Sequence, residues 1–195
     1  MPFGRGERSE TSPRPPARRK FAATVRPTGI ERTFALDEVI VSKTDTAGVI
    51  TYANDIFLEI AGLAEHEAIG QPHSIIRHPD MPRAVFKLLW DTIARGDEIF
   101  AYVLNMAATG DHYWVFAHIT PSFAADGGIV GYHSNRRVPD RSAIAAVTPL
   151  YARLKSIEDA AADRASGLAA STAALHATLR DLRIGYDEFV FSLAR

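Results

Sequence analysis

The chain has 195 residues, 47% of them apolar, and a formal net charge of −1. That length allows one domain of ordinary size with appendages, and no apolar run approaches the roughly 18 to 20 residues of a membrane span. The chain has no cysteine, which excludes disulfides, thiolate metal sites and a cysteine nucleophile. Its start lacks the apolar region of a signal peptide, so we expect a cytoplasmic protein.

Residues 1–33 are predicted to form a disordered, basic, proline-rich arm. Residues 1–32 hold eight Lys and Arg against three Asp and Glu, whereas the rest of the chain holds fourteen against twenty. Such a segment buries too little apolar surface to fold alone. No aromatic residues are interleaved with the basic ones and the remainder is acidic, so we predict no nucleic-acid partner.

A hairpin and a short helix are predicted next. Residues 39–44 and 49–52 are short β-rich runs, and Asp-Thr-Ala-Gly at 45–48 forms the turn between them. Asn54 then caps a helix that Gly62 ends, and its apolar face carries Phe57, Ile60 and Ala61.

The following residues predict more helix and then three strands. Residues 68–77 form an irregular helical connection, and Pro82 begins a firmer helix that buries Val85, Leu88, Leu89 and Trp90 at helical spacing. Three β-rich runs come after it, at 99–107, 112–123 and 129–136. This order predicts an α+β fold over residues 36–138: a five-stranded antiparallel sheet with short helices on one face.

Residues 139–195 are predicted to be a C-terminal helical segment. Apolar residues recur on a repeat of fours and threes, which is typical of an imperfect heptad seam: Leu150, Leu154, Ile157, Ala161, Leu168, Leu175 and Leu182. Arg164, Ser171 and Thr178 occupy the positions of the repeat that lack an apolar residue. Gly167 and Gly185 weaken the pattern, so we expect two or three helices. The seam packs either on its own domain or on a second copy, and both alternatives are open at this point.

The sequence does not indicate an enzyme. It lacks a Gly-x-Ser-x-Gly elbow, a Walker loop and a Gly-x-Gly-x-x-Gly turn. None of the seven histidines forms a His-x-x-x-His pair, so no metal site is predicted.

The stretch Arg77-His78-Pro79-Asp80-Met81-Pro82 is the most informative part of the chain. Its two prolines hold a guanidinium, an imidazole and a carboxylate on a stiff, non-helical connection. Such a cluster suits the polar edge of a bound cofactor. The alternative is that Asp80 caps a helix while Arg77 and His78 are solvated.

Taken with Ala53-Asn54-Asp55, His73 and Gly110-Asp111-His112-Tyr113-Trp114, this stretch closely resembles the PAS sensor domain of bacterial aerotaxis receptors. The resemblance covers about residues 36–151 and implies a PAS fold that binds FAD. It implies binding positions at Asn54, Arg77, His78 and Asp80.

A flavin needs an apolar slot for its ring and donors and acceptors at its polar edge. The predicted cofactor-binding residues supply both, and they are Asn54, His73, Arg77, His78, Asp80, Trp90 and Phe100. With no cysteine, a cysteinyl-flavin adduct cannot form.

The sequence departs from the resembled pattern at one place. The family carries Pro-Trp after the glycine that matches Gly96, followed by a basic run; here Ile99 stands in place of the tryptophan, with Phe100 beside it, and the basic run is missing. A haem b with His73 or His78 as axial ligand, or an empty pocket in an adaptor that mediates dimerisation, therefore remains an alternative to FAD.

The resemblance also implies a signalling role. We expect a cytoplasmic sensor that relays redox or oxygen state to a chemoreceptor or kinase in trans. We expect it to form a homodimer through residues 139–195.

Overall fold

The computed structural model describes residues 25–194, and the part of the predicted arm at residues 1–24 lies outside the described residues. One five-stranded sheet has the order β2-β1-β5-β4-β3, and every neighbouring pair is antiparallel. The strands are β1 (Ile40–Thr44), β2 (Ile50–Ala53), β3 (Ile99–Met106), β4 (His112–Phe123) and β5 (Ile129–Arg137).

Three helices and a 3₁₀ turn connect β2 to β3, and three helices follow β5. The first group is α1 (Asp55–Ala61), α2 (Glu65–Ala68), the 3₁₀ turn (His73–Ile76) and α3 (Arg83–Ala94). The second group is α4 (Arg141–Ala160), α5 (Arg164–Leu182) and α6 (Tyr186–Ser192). The predicted α+β class, element order and PAS-type sheet are confirmed. Among residues 25–194, no helix is both long and apolar enough to cross a membrane.

Alternating burial gives the sheet two distinct faces. In β4, Tyr113, Val115, Ala117 and Ile119 are buried while the residues between them are half-buried. Because side chains of a strand point alternately to its two sides, these four share one face. We call it the inner face, which α3 and the 3₁₀ turn cover, and the opposite face the outer face.

Asn54 joins the hairpin to α1. Its Oδ1 accepts hydrogen bonds from the backbone N–H groups of Val41 (2.9 Å) and Phe57 (3.1 Å), and its Nδ2 donates to the carbonyl of Val39 (2.8 Å). One side chain therefore caps the helix and also fixes β1, as expected for a residue that satisfies otherwise unpaired backbone groups.

The C-terminal helices pack on the domain of their own chain. The Tyr151 hydroxyl of α4 donates to the carbonyl of Tyr102 on β3 (2.7 Å), and the ring stacks near Trp114. In α6, Phe189 and Val190 are buried. The seam is thus covered within the chain, at least at Leu154 and Leu175, whereas Leu182 is half exposed.

The helix breaks differ in part from those predicted. Gly185 does mark the break before α6, but Gly167 lies inside α5 and the first break is at 161–163. Asp163 explains this position, because its carboxylate accepts from the N–H groups of Ala165 and Ser166 and so starts a new helix.

The last residues of the predicted arm are ordered, which corrects that prediction. The N–H groups of Thr28 and Arg32 donate to the carbonyls of Gly110 and His112. Glu31 also pairs with Arg141 at the start of α4. Backbone hydrogen bonds to residues at the start of β4 order this stretch despite its polar composition.

Replacing Tyr151 with phenylalanine tests how α4 is held. The variant leaves the buried carbonyl of Tyr102 without this donor, so we expect unfolding free energy to fall by about 1–2 kcal/mol. Urea denaturation of the ligand-free protein measures it. Tyr52→Phe, at a residue that is 46% exposed, is the matched control and should change stability by less than about 0.5 kcal/mol. Equal effects of the two changes would show that the Tyr151 hydrogen bond does not hold α4.

Candidate cofactor pocket

A cavity of about 320 Å³ lies between the inner face of the sheet and helix α3. Strands β1, β3, β4 and β5 form its floor, the 3₁₀ turn closes one side, and α3 forms its roof. The roof is apolar and consists of Phe86, Leu89, Trp90 and Ile93. The volume lies within the range of small-molecule pockets, roughly 300–1,000 Å³, at its lower end.

Arg136 is the polar centre of the cavity. It is only 4% exposed, and its Nη2 donates to Ser42 Oγ (2.7 Å) and to His73 Nε2 (2.6 Å). A guanidinium has donors only, so Nε2 of His73 must be the acceptor and its proton must be on Nδ1. The ring of Phe57 lies 5.6 Å from the guanidinium carbon. Arg136 therefore has neutral neighbours within hydrogen-bonding distance.

The pKa values of this cluster follow from burial. Desolvation lowers the pKa of Arg136 to about 10, an effect that Tyr113 partly opposes. Desolvation and then the charges of Arg136 and Arg77 hold the pKa of His73 well below its usual value. At neutral pH the cavity therefore contains a charged guanidinium beside a neutral imidazole.

Two contacts shape the walls. The Arg77 guanidinium lies 3.8 Å from the centre of the Phe86 ring, and Trp90 meets Tyr132 edge-on at 5.5 Å. The turn between β1 and β2 leaves room for that indole only because residue 48 is glycine: its φ is +77°, and a Cβ there would lie 2.8 Å from Trp90 Cη2.

Several buried polar atoms in the cavity lack hydrogen-bond partners. Within residues 25–194, unpaired buried side-chain atoms that line it are Thr44 Oγ1, Arg77 Nε, Asn105 Nδ2, Ser134 Oγ and Arg136 Nη1. Three of these are donors only, and the two hydroxyls can donate. Buried polar groups are normally paired, so this concentration indicates the position of a polar ligand edge.

No carboxylate is present among the described residues that line the cavity. Two arginines in apolar surroundings therefore favour a ligand that carries acceptors or negative charge. The pyrimidine edge of a flavin offers carbonyl oxygens and ring nitrogens, while its fused rings suit the apolar roof. The residues present fit a flavin.

Three of the seven predicted cofactor residues line the cavity: His73, Arg77 and Trp90. Asn54 does not, because its side chain is used by Val39, Val41 and Phe57. These contacts are structural, and a binding role for Asn54 stays a prediction.

His78 and Asp80 also do not line the cavity, and their predicted binding roles stay predictions. Nδ1 of His78 accepts from the N–H of Asp80 (3.1 Å), and its ring meets His112 edge-on at 6.0 Å. Burial lowers the pKa of His78, partly opposed by Asp80. The carboxylate of Asp80 is 74% exposed. These two side chains stabilise the connection and leave Arg77 to face the cavity.

Phe100 lies on the outer face and does not line the cavity, and its predicted contact with the cofactor stays a prediction. Its ring stacks on His118 at 4.1 Å and meets Phe191 of α6 at 4.8 Å. The neighbouring Ile99 is the residue that points inward. Phe100 therefore does not replace the tryptophan that the resembled family carries, because adjacent strand residues face opposite sides.

The cavity residues that the sequence analysis missed are polar residues within strands. Ser42, Asn105, Ser134 and Arg136 belong to this group. Strand periodicity contains the signal: Arg136 lies two and four residues after Ser134 and Tyr132, and so shares their inward face.

The family comparison agrees with this architecture. Residues 50–136 match the family described as PAS fold. The chain contains a PAS domain. Over 120 residues, 62% of the chain, it is 42% identical to the aerotaxis receptor of Escherichia coli (strain K12), of which this covers 24%. Over 99 residues it is 27% identical to the nitrogen fixation regulatory protein of Klebsiella pneumoniae, covering 51% of the chain and 20% of that protein. The chain thus spans a quarter or less of these relatives.

Solved structures show the same fold at low identity. The light-state LOV domain of the blue-light photoreceptor aureochrome1 has a TM-score of 0.51 and 22% identity, covering 56% of this chain and 88% of that one. A light-oxygen-voltage domain studied with a flavin analogue also has a TM-score of 0.51, with 20% identity, covering 57% and 83% of the two chains. This likeness concerns the PAS fold alone.

The neutral state of His73 gives the PAS domain a predictable pH dependence. Its folded pKa is below the unfolded value, so the unfolded chain binds more protons and stability falls as pH drops below about 6.5. His73→Gln keeps an acceptor for Arg136 but cannot titrate. We expect it to reduce the slope of unfolding free energy against pH between about 6.5 and 5, by up to about 1.4 kcal/mol per pH unit. His66→Gln, at an exposed position, is the control; identical slopes for all three proteins would contradict a buried neutral His73.

Replacing Asn54 with alanine separates a structural role from a binding role. The change removes the three hydrogen bonds that join β1 to α1, so ligand-free stability should fall by about 2–3 kcal/mol. Urea denaturation measures this. Unchanged stability together with weakened FAD binding would return Asn54 to the set of cofactor ligands.

Proposed function

We propose that this protein is a PAS sensor that binds FAD in the cavity between sheet and α3 and relays redox or oxygen state to a signalling partner. One observation carries the proposal: a cavity with an apolar roof in which five buried polar atoms lack partners, and which two arginines but no described carboxylate line. The resemblance to aerotaxis receptors implies the same ligand class, and the 42% identity to one of them supports it.

The residues proposed to hold the flavin are Arg136, Arg77, Asn105, Ser134 and Trp90. The first four would donate to its acceptor edge, and Trp90 would border its rings. The flavin supplies redox chemistry, and the protein supplies a site that excludes water and tolerates added negative charge. We assign the chain a sensing role and no catalysis of its own.

Haem is less well supported than flavin. His73 lines the cavity, but its Nε2 accepts from Arg136 and would have to release that contact to bind iron. His78 lies outside the cavity and its Nδ1 accepts from Asp80. A cofactor-free adaptor is the second candidate, because the packed C-terminal helices could contact a partner whether or not the cavity binds a cofactor.

The relay itself is part of the proposal. A chemoreceptor or kinase acting in trans, a homodimer through residues 139–195 and a cytoplasmic location stay predictions. Helices α4–α6 already pack on the PAS domain, so we propose that they transmit its state. A dimer would then use surfaces these contacts leave free.

The absorption spectrum of the purified protein tests the ligand class. Flavin bands, present as isolated or after incubation with FAD, support the proposal. A sharp Soret band indicates haem. A protein that stays colourless after incubation with both cofactors is the adaptor.

Replacing Arg136 with glutamine tests whether the buried charge of Arg136 contributes to FAD binding. Glutamine keeps an amide donor on a shorter side chain, but the charge is lost. Hydrogen bonds to charged groups contribute about 1.5–3 kcal/mol, so FAD should bind at least about tenfold more weakly. Flavin fluorescence quenching gives the dissociation constants.

Two further measurements make this result interpretable. Ligand-free stability should not fall, because a buried charge without a carboxylate partner is itself destabilising. Asp80→Asn, at an exposed carboxylate, should bind FAD like the parent. If Arg136→Gln folds normally and retains full affinity, the arginine does not contact the flavin.

A further inference from the structure

One buried carboxylate ties the C-terminal helices to the roof of the cavity. The side chain of Glu158 in α4 is 1% exposed. It accepts from the backbone N–H groups of Arg83 (3.0 Å) and Ala84 (3.0 Å) and from Arg83 Nε (2.9 Å). These residues are the first two of α3, about 75 positions earlier in the chain.

The N-terminus of α3 depends on this carboxylate. Pro82, which precedes the helix, provides no side-chain cap, and the first turn contains no acidic residue. The first N–H groups of a helix lack intrahelical partners and carry partial positive charge, which a carboxylate satisfies well. Conversely, a buried carboxylate separated from its donors would be strongly destabilised.

Helix α5 completes the contact. Arg83 Nη1 donates to the carbonyl of Arg164 (2.8 Å). Gly167 lies so close that a Cβ there would be 2.8 Å from the Glu158 carbonyl oxygen and 3.2 Å from Arg83 Nη2. We call the group formed by Glu158, Arg83, Ala84, Arg164 and Gly167 the α3 joint.

The α3 joint and the cavity share the same helix. Phe86, one turn after Arg83, lines the cavity and carries the stacked Arg77. The charges of the joint reach that arginine: beyond the effect of burial, Arg164 and Arg83 lower the pKa of Arg77 and Glu158 raises it. The α3 joint and the contact between Phe86 and Arg77 therefore share the first turn of α3.

We infer that Glu158 is a positioning residue that couples the docking of α4 and α5 to the roof of the cavity. When the α3 joint opens, the N-terminus of α3 loses its cap, and the contact between Phe86 and Arg77 loosens with it. By thermodynamic reciprocity, a ligand that fixes the roof strengthens the docking of the two helices. The ligand half of this inference rests on the proposed function; the coupling between helices does not.

Hydrogen exchange of the ligand-free chain tests the coupling. Glu158→Gln is nearly isosteric, but it loses the charge and turns an amide N–H₂ towards donors. We expect exchange to become at least about tenfold faster in both residues 83–94 and residues 164–182. The matched control is Asp159→Asn, one position along the same helix, where an exposed carboxylate pairs with Lys155 and not with α3. It should leave both segments unchanged.

A second variant opens the α3 joint without touching the carboxylate. In Gly167→Ala, the higher helix propensity of alanine stabilises α5 itself, but the added methyl group clashes with the backbone of α4. It should also accelerate exchange in both segments. If either variant accelerates residues 164–182 while residues 83–94 keep the parent's rates, or if neither segment responds, the coupling is overturned.

FAD provides the reciprocal measurement. In the parent protein, bound FAD should slow exchange in residues 164–182, and Glu158→Gln should reduce this effect. Bound FAD that leaves residues 164–182 unchanged in the parent would overturn the coupling. If FAD does not bind at all, the proposed function fails, while the ligand-free comparison still decides whether the α3 joint couples the helices.

Discussion

A positive charge buried without a carboxylate is the constraint around which the cavity is organised. Removing a guanidinium from water is costly unless hydrogen bonds and counter-charge replace its hydration. Arg136 donates hydrogen bonds to two neutral groups, His73 Nε2 and Ser42 Oγ, and lies near the ring of Phe57. Its Nη1 has no partner. The fold therefore maintains an unsatisfied donor where an apolar cavity makes each electrostatic interaction stronger.

The neighbours of Arg136 follow from this charge. Because the guanidinium donates to Nε2, His73 is held as the neutral tautomer with its proton on Nδ1, and a protonated imidazole would face two arginines. A carboxylate in place of Ser42 would neutralise Arg136 and remove the demand for a ligand with acceptors. The hydroxyl at this position orients the guanidinium without cancelling its charge, so the cavity keeps its selectivity for electron-rich ligands.

The fold was more predictable from sequence than the site was. Alternation in β4 and helical spacing in α3 are local patterns, and both predicted their elements correctly. The predicted site relied on nearness in sequence, yet Arg77, His78 and Asp80 diverge: Arg77 faces the cavity, His78 packs near His112 and Asp80 faces solvent. Arg136 on β5 and His73 in the 3₁₀ turn are 63 residues apart. They meet because β5 pairs with β1 in a fixed register and because the N–H of His73 donates to the carbonyl of Gly48, in the turn after β1. One sequence does not reveal that register directly.

Among residues 25–194, the buried Arg, Lys, Asp and Glu side chains are Arg136 and Glu158, and they are not paired with each other. This separation explains what each can do. Glu158 has three donors on Arg83 and Ala84, so it is satisfied and acts as a structural contact between helices. Arg136 keeps an unpaired Nη1, and we propose that this group recognises the ligand. If one carboxylate bound both Arg136 and the N-terminus of α3, a ligand could reach Arg136 only by breaking the contact between the helices. With the charges separated, a ligand at Arg136 would add an interaction next to the roof without breaking that contact, and the proposed coupling would carry the effect through α3 to α4 and α5.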